Sequence, residues 1–167
     1  LGFFRSVEEI ADAKAEIFRG LEPGGAAIIN RDSPYYERLR SHALEHGAKI
    51  VGFGEAQGAE ARLIGVELQP DGSKVRAAIL GETLSYRLGA PGRHLVQNSL
   101  AVLAAVKMAG ANVTLAARAL DGLHAQAGRG ARTLIAAAGG RMAIIDRWVL
   151  EKTLIWTKTS GEPSSGA

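Results

Sequence analysis

The sequence predicts an α/β protein, a mostly parallel layered sheet with an antiparallel extension. Three observations carry this. In the first 54 residues, short apolar runs alternate with amphipathic stretches, the rhythm of β-α-β units. Residues 61–88 then switch to a two-residue period around the turn signal Asp71-Gly72. Finally, the stretch after Asn98 is built from Leu, Ala and Val almost without interruption as far as Met108. A helix apolar on every side has no solvent face and belongs in a core.

The elements follow in order. Residues 3–21 read as a helix, opened by the capping box Ser6-x-x-Glu9 and striped by Ile10, Ala13 and Ile17. Pro23-Gly24-Gly25 stops it. Ala26-Ala27-Ile28-Ile29 is a buried parallel strand ending in Asn30-Arg31-Asp32, and the C-terminal ends of such strands commonly carry function. Pro34 starts a helix over 34–46, with Gly47 as its cap. Lys49 to Gly54 is the next strand. Residues 61–88 form the antiparallel set, and the buried helix covers 94–108. Gly110 ends that helix, and Asn112 or Thr114 starts another that runs to about Leu123. Thr133–Ala137 and Arg141–Ile145 read as a hairpin around Gly139-Gly140. Periodicity fades from Arg147, and residues 160–167 read as a flexible end.

Composition narrows the function classes. The 167 residues are about one domain's worth, and 47% are hydrophobic, so the chain can bury a core. A net charge of +3 with scattered basic residues and 5% aromatics argues against a nucleic-acid surface. The absence of cysteine excludes disulfides and thiolate chemistry and fits a reducing cytoplasm. The longest apolar run, Leu100 to Val106, is too short to span a bilayer. The first residue is Leu rather than Met, which predicts a start inside a longer protein.

Polar residues collect where the buried helix begins. Arg93, His94, Gln97 and Asn98 sit in its first turns, with His94 and Asn98 on one face. A helix N-terminus presents unpaired N–H groups and the positive end of the dipole. This arrangement suits a ligand contact, and equally it suits hydrogen bonds to a neighbouring loop. Lys14 borders the apolar stripe of the first helix. Its ammonium can snorkel to water. Alternatively, partial burial lowers its pKa, and the neutral amine takes up carbon dioxide to become an anionic carbamate, a ligand for magnesium. Arg129 and Arg132 follow a Gly-rich turn, either as solvated cations or as forks for phosphate or a base. Asn30 and Asp32 suit an Asx turn as well as a site.

Pro91-Gly92-Arg93-His94, followed by Asn98-x-Leu100-Ala101, resembles the central domain of the Mur ligases. Within that family the likeness is greatest to the ligases that add D-alanyl-D-alanine to UDP-N-acetylmuramoyl-tripeptide in peptidoglycan synthesis. Ala13-Lys14-Ala15-Glu16-Ile17-Phe18 resembles the family segment whose carbamylated lysine serves the metal site. The resemblance implies a partial P-loop/Rossmann-like domain over about residues 1–146, with 147–167 a divergent tail. It implies an ATP-dependent, magnesium-dependent ligase, cytoplasmic and monomeric, acting on UDP-linked muramoyl peptide without nucleic acid or membrane. Lys14 would serve the metal, and His94, Asn98 and Arg132 the nucleotide, with Arg129 the alternative to Arg132. The family reaction activates a carboxylate as an acyl phosphate, which an amine then attacks. Three departures stand out. Leu95 follows His94 where the family usually has Asn; no Gly-x-x-x-x-Gly-Lys-Ser/Thr loop occurs; and Arg147-Trp148-Val149-Leu150 replaces the family's sequence after Ile145-Asp146. The polypeptide alone is therefore expected not to ligate. Another Mur-type ligase, or a non-catalytic nucleotide-binding module, are the alternative readings.

Overall fold

Strand β1 (Ala26–Asn30) forms the centre of the sheet. Ala26 to Ile29 are fully buried, so the strand needs cover on both faces and a partner on both edges. The computed structural model describes residues 15–22 and 24–123 in full, and residues 132–137, 140–145 and 153–158 by their backbone. Ser6, Glu9, Lys14 and Arg129 lie outside the described residues, as do 146–152 and 159–167.

β1 pairs in parallel with β2 (Lys49–Gly54) on one edge. On the other it pairs antiparallel with β8 (Thr153–Lys158). The remaining strands are β3 (Ala61–Gln69), β4 (Gly72–Ile79), β5 (Glu82–Leu88), β6 (Arg132–Ala137) and β7 (Gly140–Ile145). Together they make one eight-stranded sheet in the order β5-β4-β3-β2-β1-β8-β7-β6. The expected α/β fold is present, with a parallel layer at the centre and the antiparallel set 61–88 beside it. The hairpin β6–β7 also forms. Strand β8 is an addition that the fading periodicity after Arg147 did not announce. Its run Thr153-Leu154-Ile155-Trp156-Thr157 is β-forming, but its partner β1 lies more than a hundred residues away, so no local pattern reveals the pairing.

Helix α1 (Tyr36–Glu45) covers one face, two residues later than the Pro34 start expected. Tyr36, Leu39 and Ala43 pack with Ala27 and Ile29, and Phe18 from a 3-10 turn (Glu16–Gly20) joins them. Ile28 points the other way and enters the second core, as strand alternation requires. That core belongs to α2 (Arg93–Met108). No residue from Leu95 to Ala109 is exposed, so the expected absence of a solvent face is observed. Helix α3 (Val113–Ala119) follows, its first turn capped by the Asn112 side chain on the Leu115 N–H at 2.9 Å. A 3-10 turn over Leu120–Gly122 replaces its expected last turn.

β3 overlaps β2 by only two residue pairs, Phe53 with Ala61 and Gly54 with Arg62. The antiparallel arm β3–β5 therefore shares few ladder bonds with the parallel strands. Helix α2 bridges them, lying against β1, β2, β3 and β4 together. Its rotation is fixed by a buried pair. The Tyr86 hydroxyl on β5 donates to Ser99 Oγ at 2.5 Å, and Ser99 donates to the Val96 carbonyl at 2.6 Å. At the other end of α2, Lys107 meets Glu82 at 3.0 Å, and Thr114 meets the same carboxylate at 3.1 Å. These partners hold the Glu82 carboxyl below its ordinary range.

Burial pushes the Tyr86 phenol up to about 12, opposed in part by Ser99. Between the ordinary tyrosine value and 12, the folded chain keeps a proton that the unfolded chain releases. Stability from this group is therefore full below about pH 10 and is lost as pH rises towards 12. Urea denaturation of wild type and Tyr86→Phe from pH 9 to 12 should show their stability gap narrowing, by up to about 3 kcal/mol, because the phenylalanine has no proton to lose.

Candidate nucleotide site at the strand ends

The ends of β1 and β2 and the start of α2 are joined by a chain of polar contacts. Asn30 Oδ1 accepts from the Asp32 N–H at 2.9 Å, an Asx turn that carries the chain off β1. The Asp32 carboxylate then accepts from the Glu55 N–H at 2.7 and 3.0 Å and from the Ala56 N–H at 2.8 Å. Gly54 makes room for this. Its φ is +141°, and a Cβ there would overlap the Asp32 carboxylate. The Glu55 carboxylate in turn grips Arg93, the first residue of α2, through Nε at 3.0 Å and Nη2 at 2.6 and 2.7 Å.

Between Arg93 and Ser99 the polar side chains of α2 have no side-chain hydrogen bond among the described residues. His94 is exposed and Asn98 is half-buried. Neither has a side-chain hydrogen-bond partner among the described residues. His94 folds back towards the cap, where a Cβ on Gly92 would stand 2.8 Å from its Cε1. Gly92, at φ +117°, brings no side-chain cap, and the first turn of α2 holds no acidic residue. The Leu95 and Val96 N–H groups bond back to the Gly92 carbonyl at 3.0 and 3.2 Å. Leu95 packs against the core beneath.

The sequence-predicted residues divide accordingly. His94 and Asn98 reach the surface together, as helical spacing implied. Asn30 and Asp32 lie beside them but are occupied in holding the two strand ends. Arg132 opens β6 opposite Ile145. Alternating strand directions put it at the same edge of the sheet as Asn30, three strand spacings away, on the order of 14 Å. Its side chain, like Lys14 and Arg129, lies outside the described residues. The described residues hold no group of three or more His, Asp or Glu side chains placed for a metal. Among them, no helix is long and apolar enough to cross a membrane. Glu55 was missed by sequence reasoning, because its partners lie 23 and 38 residues away.

An Asn amide offers a donor and an acceptor side by side. That pair matches the amino group and ring nitrogen on one edge of adenine. The Asn98 amide, without a partner among the described residues, has the groups to pair with a purine edge, and the exposed His94 imidazole one turn earlier on the helix has the groups to stack or accept.

The comparisons come from sequence and structure alike. Residues 1–106 match the Mur ligase middle domain. A UDP-N-acetylmuramate–L-alanine ligase from Mycobacterium marinum is 33% identical over 129 residues, covering 74% of this chain and 26% of the relative. A UDP-N-acetylmuramoyl-tripeptide–D-alanyl-D-alanine ligase from Rickettsia prowazekii is 29% identical over 131 residues, covering 78% of this chain and 29% of the relative. A crystal structure of MurF from Acinetobacter baumannii superposes with a TM-score of 0.68 at 26% identity, covering 86% of this chain and 30% of that one. The chain thus spans about a quarter to a third of the length of these relatives.

Replacing Gly54 by alanine should destabilise the fold by at least about 2 kcal/mol, since it adds both a strained φ and an overlap with Asp32. Adding Asp32→Ala removes the overlap. Chemical denaturation should then show the double variant losing less than the sum of the two single losses.

Proposed function

The chain belongs to the Mur ligase family, and on that footing we propose that it is the later part of the ATP-binding central domain of a ligase. The whole enzyme would add D-alanyl-D-alanine to UDP-N-acetylmuramoyl-tripeptide in the cytoplasm. The observation that carries this is the pair of uncommitted side chains, His94 and Asn98, on the first turns of a helix that is otherwise buried. Polar groups left without partners beside a fixed scaffold are available to a ligand, whereas Asn30 and Asp32 are already satisfied.

In this reading Asn98 holds the adenine edge and His94 flanks it. Arg132 reaches the nucleotide from the same edge of the sheet, its guanidinium suited to a base face or to phosphate oxygens. Lys14 serves the magnesium site. When bound, ATP supplies the phosphoryl group that activates a carboxylate for attack by an amine. The chain's own groups would bind and orient the nucleotide.

The choice of amine has a second reading. The curated L-alanine-adding relative is somewhat more similar than the D-alanyl-D-alanine-adding one, 33% against 29%. In this reading His94 and Asn98 serve the nucleotide rather than the amine, so either acceptor is compatible with them. Assaying the longer protein with each amine separates the two.

Two measurements test the proposal. Calorimetry with ADP should detect binding to the wild-type chain, and Asn98→Ala should weaken it at least tenfold, about 1.4 kcal/mol. Second, the 167-residue polypeptide incubated with ATP, magnesium, UDP-muramoyl-tripeptide and D-alanyl-D-alanine should release no ADP, because its sequence has no phosphate-binding Gly-Lys-Thr loop. Measurable release would remove that part of the reading.

A further inference from the structure

We propose that Glu55 is a positioning residue for the nucleotide site: it reaches from the end of β2 to Arg93 and holds the first turn of α2 where His94 and Asn98 can engage a purine. This rests on the nucleotide reading above and extends it to a residue that touches no nucleotide in that reading.

Helix ends fray unless capped, and α2 begins at Gly92 without a side-chain cap. His94, Gln97 and Asn98 form no side-chain hydrogen bond among the described residues. Among the described residues, the side-chain bonds that tie α2 to another element before Ser99 are those of Arg93 to Glu55. Glu55 is itself anchored, because its N–H is held by Asp32, and Asp32 is fixed by Asn30. The position of β1 is thereby passed to the helix through three short links.

The energetics separate positioning from stability. Arg93 and Glu55 are 53% and 40% exposed, and exposed ion pairs add only ~0–1 kcal/mol to folding. The global fold is held elsewhere, by the buried face of α2. A contact of this kind changes the population of the well-ordered first turn without deciding whether the chain folds.

The test uses the full chain, with ADP as the probe, and measures three things: calorimetric affinity, melting temperature, and hydrogen exchange of the amides from Arg93 to Asn98. Glu55→Gln leaves Arg93 in place and should weaken ADP binding roughly three- to tenfold, with little change in melting temperature and faster exchange in the first turn of α2. Glu55→Arg combined with Arg93→Glu restores a pair with opposite polarity and should recover much of the affinity. Unchanged affinity in Glu55→Gln, with wild type binding ADP, overturns the positioning role and leaves the nucleotide reading standing. A large fall in melting temperature overturns it too, by making the contact a structural one. If the wild-type chain binds no ADP, the nucleotide reading falls and the role of Glu55 falls with it.

Discussion

The arm β3–β5 and the parallel strands are held together by one buried helix. The two halves of the sheet share only two residue pairs between β2 and β3, too few to fix their relation. Helix α2 supplies the rest by burying Val96, Leu100, Leu103 and Ala104 against strands of both halves. Burial of this kind is non-directional and sets no rotation about the helix axis. Directional bonds add that. The Tyr86–Ser99 pair lies inside the interface, Lys107 and Thr114 hold Glu82 at the far end, and Arg93 meets Glu55 at the near end. The polar contacts of α2 therefore decide which way Asn98 points.

Much of this was legible in the sequence. The apolar run at 26–29 and the alternation at 61–88 gave strands where strands occur, and the unbroken Leu/Ala/Val run gave a helix with no exposed face. Those signals are local, since each residue's neighbours along the chain share its environment. The same logic failed for Thr153–Lys158. The run Thr153-Leu154-Ile155-Trp156-Thr157 is itself β-forming, a local signal that the fading periodicity obscured; what nothing near residue 153 records is that its partner is the free edge of β1. The parallel start of β3 is a similar case. Its alternation predicted a strand, but the partner of Ala61 is Phe53, fixed by the loop between them.

At the site, residue type alone could not separate scaffold from ligand contact. Asn30, Asp32, His94 and Asn98 were all candidates, and all four lie close to the ends of β1 and β2 or the start of α2. The difference is saturation. Asn30 Oδ1 accepts one backbone N–H and the Asp32 carboxylate accepts two, which fixes their rotamers. Among the described residues the Asn98 amide has no partner for its donor or its acceptor. A polar group has the same hydrogen-bonding capacity wherever it stands, so the sequence shows capacity and only the fold shows whether it has been used.

That division has a physical reason at the end of a sheet. The strand ends leave backbone N–H groups that must be satisfied, and short carboxylates and amides do this at little conformational cost. Once Asp32 has taken the Glu55 and Ala56 N–H groups, the Glu55 carboxylate is held outside the ladder, within reach of α2. The glycine at 54 is what lets Asp32 approach so closely. A chain of contacts that begins as backbone satisfaction thus ends by fixing the first residue of the helix. The side chains that follow, His94 and Asn98, then need no bonds of their own to be held in place. They can remain open to a ligand because their neighbours have done the anchoring.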